Sequence, residues 1–147
     1  MTFRLVCFLV AACSFPAGWV TAQNLSIHKL PSYNKEQLRI KTDWLISNAG
    51  RQSAIYKTPE GYLVLSNGLI TRTFTMSPNC ATIGLDNLVT NEALVRAVSP
   101  EAVLWVNGHE IKAGGLTGQP IGNYLLPEWI PEMKADPYSL KLVSYTT

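Results

Sequence analysis

Hydrophobic and polar positions alternate most clearly between residues 61 and 98, where GYLVLSNGLITRTF, SPNCATIGLDNL and VTNEALVRAV follow one another. Short apolar runs bounded by Gly, Asn and Pro predict strands, here over 53–57, 62–66, 69–76, 81–85 and 93–98. Thr58-Pro59-Glu60-Gly61 separates the first two, and Asn67-Gly68 joins the second to the third. An Asn-Gly pair favours a type I′ hairpin turn because both central residues need positive φ. A second such pair, Asn107-Gly108, predicts another hairpin between strands at 102–106 and 109–112, and a last strand is expected at 140–143. Strands at this spacing without intervening helices predict an all-β fold, an antiparallel β-sandwich.

Within 69–76, Ile70, Phe74 and Met76 share one side and Thr71, Thr73 and Thr75 the other. Arg72 interrupts the apolar side. A charge there must be paired or reach water along its own stem. It serves either as a structural ion pair or sheet-edge residue, or as a fork presented to a ligand hydroxyl or carboxylate.

Ahead of the strands the pattern changes. Arg4 precedes an apolar run over 5–13, and Val20-Thr21-Ala22 places small residues before Gln23, which reads as a signal peptide spanning 1–22. That run is shorter than the roughly 20 residues a transmembrane helix needs. The expected product is secreted, or periplasmic in a bacterium, with no membrane partner after cleavage. Residues 23–52 read as an arm or linker, polar and irregular to about Lys35, and 53–147 as the sandwich domain. Over 35–47 the spacing of Leu38, Trp44 and Leu45 permits a short helix, whereas residues 39–41 alternate as a strand does; Trp44 is an expected anchor onto the domain.

Cleavage removes Cys7 and Cys13 and leaves Cys80, so no internal disulfide is expected. Cys80 follows Ser77-Pro78-Asn79 with no histidine near it in sequence, which favours a small buried thiol or an intermolecular partner over a nucleophile. The formal charge is +2, and loss of Arg4 brings it to +1. There is no basic run and no Lys/Arg stripe interleaved with aromatics, which argues against a nucleic-acid partner. Asn24-Leu25-Ser26 is an N-glycosylation sequon in a eukaryotic source.

Candidate chemistry is sparse. The Gly114-to-Pro120 segment lacks the Gly-Lys-Ser/Thr of a phosphate loop, and its glycines suit close passage of backbone past backbone. Tyr124 and Trp129 lie just beyond it, either as stacking platforms for sugar or as half-buried plugs at an interface. Glycoside hydrolysis needs two carboxylates roughly 5 to 9.5 Å apart, and the spacing of Glu101, Glu110, Glu128, Glu132 and Asp136 selects no pair. His28 and His109 form no metal-ligand pattern. No catalytic residue, metal site or cofactor is assigned.

Leu65-Ser66-Asn67-Gly68-Leu69-Ile70, Arg72, Phe74, Asn87-Leu88, Leu94-Val95-Arg96, Pro100-Glu101-Ala102, Gly114-Gly115-Leu116 and Gly118-Gln119-Pro120 together form a diffuse pattern. It resembles the N-terminal β-sandwich region of large secreted glycoside hydrolases of the melibiase (α-galactosidase-like) group. The resemblance implies a supersandwich-like domain, incomplete at its C-terminus, that packs against a C-terminal catalytic barrel absent from this chain. It also implies that the catalytic carboxylates belong to that barrel. The alternative is a free-standing secreted carbohydrate-binding or interaction module, with Arg72, Tyr124 and Trp129 as its contacts.

Overall fold

The computed structural model describes residues 29–39, 43, 46 and 52–145. The signal peptide, the sequon at Asn24, His28 and Trp44 lie outside the described residues.

The regular secondary structure of the described residues is mostly strand. A five-stranded antiparallel meander has the order β1 (Ala54–Lys57), β2 (Leu63–Ser66), β3 (Ile70–Thr75), β4 (Ala81–Asn87) and β5 (Glu92–Ala93). A second sheet holds β6 (Ala102–Val106), β7 (His109–Ala113) and β10 (Ser139–Leu140) in the order β10-β7-β6, with β6 and β7 antiparallel and β10 parallel to β7. β8 (Leu116–Thr117) and β9 (Lys134–Ala135) form a small third pair. Helix is limited to α1 (Lys35–Leu38) and a 3₁₀ turn at Pro127–Glu132. These elements establish an all-β fold of mainly antiparallel sheets.

The helical alternative holds at the start of the 35–47 segment, for one turn. Asn34 accepts from the amides of Glu36 (3.1 Å) and Gln37 (3.3 Å), two donors that the first turn of a helix leaves unpaired. None of the four helical residues is buried, so the cap rather than packing holds the turn. The arm before it is attached to the sheet. The Tyr33 amide donates to the Lys57 carbonyl (2.7 Å) and the Lys57 amide to the Pro31 carbonyl (3.0 Å), extending the β1 edge.

Register assigns the faces of the meander. Ile55, Leu65, Arg72 and Leu85 lie abreast on one side, and Tyr56, Val64, Thr73 and Gly84 on the other. The threonine side is the covered one: Thr71 and Thr75 are 1% and 2% exposed, whereas Ile70 is 44% exposed. The arm decides this. Tyr33 packs edge-on against Tyr56 with ring centroids 6.4 Å apart, and Lys35 Nζ reaches Asp86 Oδ2 at 3.5 Å. Burial raises the Tyr33 phenol above its ordinary pKa.

Two expected strands are shorter than read. Beyond Leu94, whose amide still donates to the Leu85 carbonyl of β4 (2.8 Å), the chain is held instead by the Gln119 side chain, which accepts from the Val98 amide (2.9 Å) and donates to the Arg96 carbonyl (3.0 Å). Beyond Leu140 the Leu142 amide goes to Asn79 Oδ1 (2.8 Å). In both places a side-chain amide takes the role a neighbouring strand was expected to play. A compact apolar cluster of Ala81, Leu116 and Met133, with Val98 and Leu125 against it, joins the end of β4 to the β8–β9 pair.

Candidate functional site

Among the described residues, a charged constellation on the open side of the meander centres on Arg72, in the middle of β3. Nη2 donates to Glu101 Oε2 at 2.6 Å and Nε to Thr82 Oγ1 at 2.9 Å, while the guanidinium lies 4.7 Å from the centre of the Phe74 ring. Glu101 is fully engaged in turn. Its Oε1 accepts from the Thr82 amide and its Oε2 also from the Thr82 hydroxyl (3.1 Å). Because Glu101 immediately precedes β6 while Arg72 and Thr82 belong to β3 and β4, this cluster ties the second sheet to the first. The Arg72 side chain keeps 47% of its surface exposed, so solvent weakens the Coulombic part of the pair.

Around Arg72 the sheet surface is apolar and open. Ser53, Ile55, Leu65, Asn67, Ile70 and Leu85 line a shallow cleft of about 610 Å³ with Arg72 at its edge. A second hollow of about 250 Å³ continues past Arg72 between Leu85, Val95 and Pro100. At the other end of the face, Tyr145 helps to close an apolar hollow of about 200 Å³ with Leu63, Phe74 and Met76. Leu65 (42%) and Ile70 (44%) are exposed here.

Tyr124 and Trp129 come together but stand apart from this cleft's lining. Their rings tilt at 34° with centroids 5.3 Å apart, the Trp half-buried and the Tyr exposed. The 3₁₀ turn carries Trp129, whose amide donates to the Leu126 carbonyl (3.1 Å). Gln119 holds the loop before it, donating to the carbonyls of Ile121 (2.6 Å) and Tyr124 (3.0 Å). The three residues singled out for binding therefore do not form one site: Arg72 marks the sheet, and the aromatic pair marks the loop.

Cys80 is half-buried, and its thiol pKa is raised, first by burial and then by the nearby Glu101 carboxylate, with Arg72 acting in the opposite sense. A raised pKa keeps the thiol protonated and weakly nucleophilic. Among the described residues no three His, Cys, Asp or Glu side chains gather as a metal site would require, and no helix is long and apolar enough to cross a membrane.

Sequence reading missed two polar side chains that organise this region. Asn79, 1% exposed, donates to Ser139 Oγ (3.3 Å) and the Leu140 carbonyl (3.2 Å) and accepts from the Cys80 and Leu142 amides. Gln119 does the same work for the loop around Val98. Neither lies in a local pattern that announces a partner 60 or 21 positions away. The glycine reading does hold at the joint. A Cβ on Gly114 (φ +67) would lie 2.5 Å from the Cys80 carbonyl oxygen, and one on Gly115 2.9 Å from Pro100 Cα.

Comparison with protein families, with curated proteins and with solved structures finds no match to this chain.

Proposed function

We propose that this chain is a non-catalytic accessory β-domain of a secreted carbohydrate-active enzyme, built to pack against a catalytic domain. The observation that carries the reading is β6, where Val103, Leu104, Trp105 and Val106 are 47% to 69% exposed, on both faces of the strand. A monomer rarely leaves so continuous an apolar stretch in water, and such a stretch marks a surface that another domain covers. The open face of the meander adds Leu65 and Ile70 to that surface. In this reading the two sheets are the layers of a supersandwich that the neighbouring domain completes, and residues 1–22 direct export. The sequence resemblance to melibiase-type enzymes supports the carbohydrate connection. The full engagement of Glu101 by Arg72 and Thr82 supports a structural rather than catalytic carboxylate.

Sequencing the genomic DNA beyond the Thr147 codon tests this. An open frame continuing into several hundred residues of alternating strands and helices is the expected result, and an immediate stop codon overturns it.

The Tyr124–Trp129 pair favours a second reading, a secreted carbohydrate-binding module. Saturable binding on a glycan array that falls at least tenfold (~1.4 kcal/mol) in Trp129→Ala is its expected signature. Absence of binding, or binding indifferent to that substitution, removes it.

A further inference from the structure

The two Asn-Gly pairs have the same intrinsic chemistry and opposite surroundings, and from this we infer that Asn107 is a site of spontaneous deamidation while Asn67 is protected. In this reaction the backbone nitrogen of the following glycine loses its proton and bonds to the asparagine Cγ. The bond from Cγ to the side-chain nitrogen breaks, and ammonia leaves. Water then opens the resulting cyclic imide at either carbonyl, giving aspartate or isoaspartate. No oxidant, metal or enzyme is consumed. The step needs a free glycine N–H, a side-chain amide able to turn toward it, and access for water.

Asn107 meets these needs. It and Gly108 are exposed, a Cβ on Gly108 would meet nothing within 4 Å, and among the described residues neither the Asn107 side chain nor the Gly108 amide has a hydrogen-bond partner. Asn67 does not. Its Oδ1 accepts from the amides of Leu69 (3.0 Å) and Ile70 (2.9 Å), which fixes the side chain against rotation. The would-be nucleophile, the Gly68 amide, is buried and donates to Ser66 Oγ at 3.1 Å. Reaction at Asn67 must first break those three bonds, which slows it by about a hundredfold relative to Asn107.

The consequence falls on the β6–β7 hairpin. Isoaspartate adds a methylene to the main chain inside a two-residue turn, where Val106 must stay opposite His109. Either product also places a negative charge there.

The test is to incubate the folded full-length chain at neutral to mildly alkaline pH. Peptide mapping then follows, at each Asn-Gly, the mass change of exchanging NH₂ for OH, and an isoaspartyl methyltransferase assay follows the isomer. Conversion at position 107 should run about a hundredfold ahead of position 67. The two rates should converge when the chain is unfolded in urea, and Ser66→Ala should accelerate position 67 in the folded chain. Equal rates in the folded chain, or position 67 ahead of 107, overturn the assignment.

Discussion

At Asn107-Gly108 both residues have positive φ, 50° and 81°, and Val106 faces His109 across a two-residue turn. At Asn67-Gly68 only Gly68 does, at 83°, and Asn67 sits before the turn, its amide donating to the Ile70 carbonyl (3.3 Å). The first hairpin is the type I′ turn that Asn-Gly predicts. In the second the turn is displaced by one residue, because the Asn67 carboxamide caps the amides of Leu69 and Ile70 and so acts as a side-chain acceptor rather than a left-handed backbone position. The surroundings differ as much. β2 and β3 are central in the meander and bury Val64 and Thr71, whereas every residue of β6 is exposed. The same dipeptide therefore determines that the chain reverses, while the contacts of its side chain determine which residues form the corner.

The joint between these two hairpin systems is where a single added methyl should have the largest effect on stability. Gly114→Ala puts a methyl 2.5 Å from the Cys80 carbonyl oxygen at a φ of +67°, and we expect a loss of about 4 kcal/mol in urea unfolding. Gly108→Ala, at φ +81° but with open space around it, should lose only about 1 kcal/mol. A similar loss in both would mean that the Gly114 backbone gives way.

Asn79→Ala comes next. It removes a buried side chain that bonds Ser139, Leu140 and Leu142, of which Ser139 is itself buried, and should cost about 3 kcal/mol, with hydrogen exchange at Leu142 accelerated more than at β2. Unchanged protection at Leu142 would show that its amide finds another acceptor.

A smaller loss is expected from the tie between the sheets. Arg72→Gln and Glu101→Gln should each cost about 1 kcal/mol, since the exposed arginine is screened by water. The double variant should cost less than the sum of the two, and strict additivity in that cycle would dissolve the link.

The mildest effect is on reactivity rather than stability. The Cys80 pKa is raised by burial and by Glu101 and lowered by Arg72, and alkylation requires the thiolate. Its onset should therefore lie at higher pH than for a free thiol, move down in Glu101→Gln and move up in Arg72→Gln. Shifts of the same sign in both variants would assign the effect to loosened packing instead of charge.

Much of the meander was legible because its signals are local. β1 through β4 and the β6–β7 hairpin lie where alternation and turn residues place them, within one or two positions at their ends. The strand read over 93–98 and the one over 140–143 were not. Their backbone groups are satisfied by Gln119 and Asn79, from distant parts of the chain, and an isolated Gln or Asn carries no mark of its partner. The β8–β9 pair, two residues on each strand, is too short to show a period. For the candidate site, Arg72 stood out as a charge on an apolar side, but nothing near it in sequence selected Glu101, 29 positions on.

The alternation of residues and the turn dipeptides determined by themselves that this chain forms short antiparallel strands, because each acts through the conformation of its immediate neighbours. Which face of the meander is covered was a tertiary decision. Ile70 and Phe74 lie on the open side and the threonines beneath the arm because Tyr33 and Lys35 find partners in Tyr56 and Asp86. Burial is a property of what packs above a sheet, and a two-residue period distinguishes the two faces without saying which of them another segment will cover.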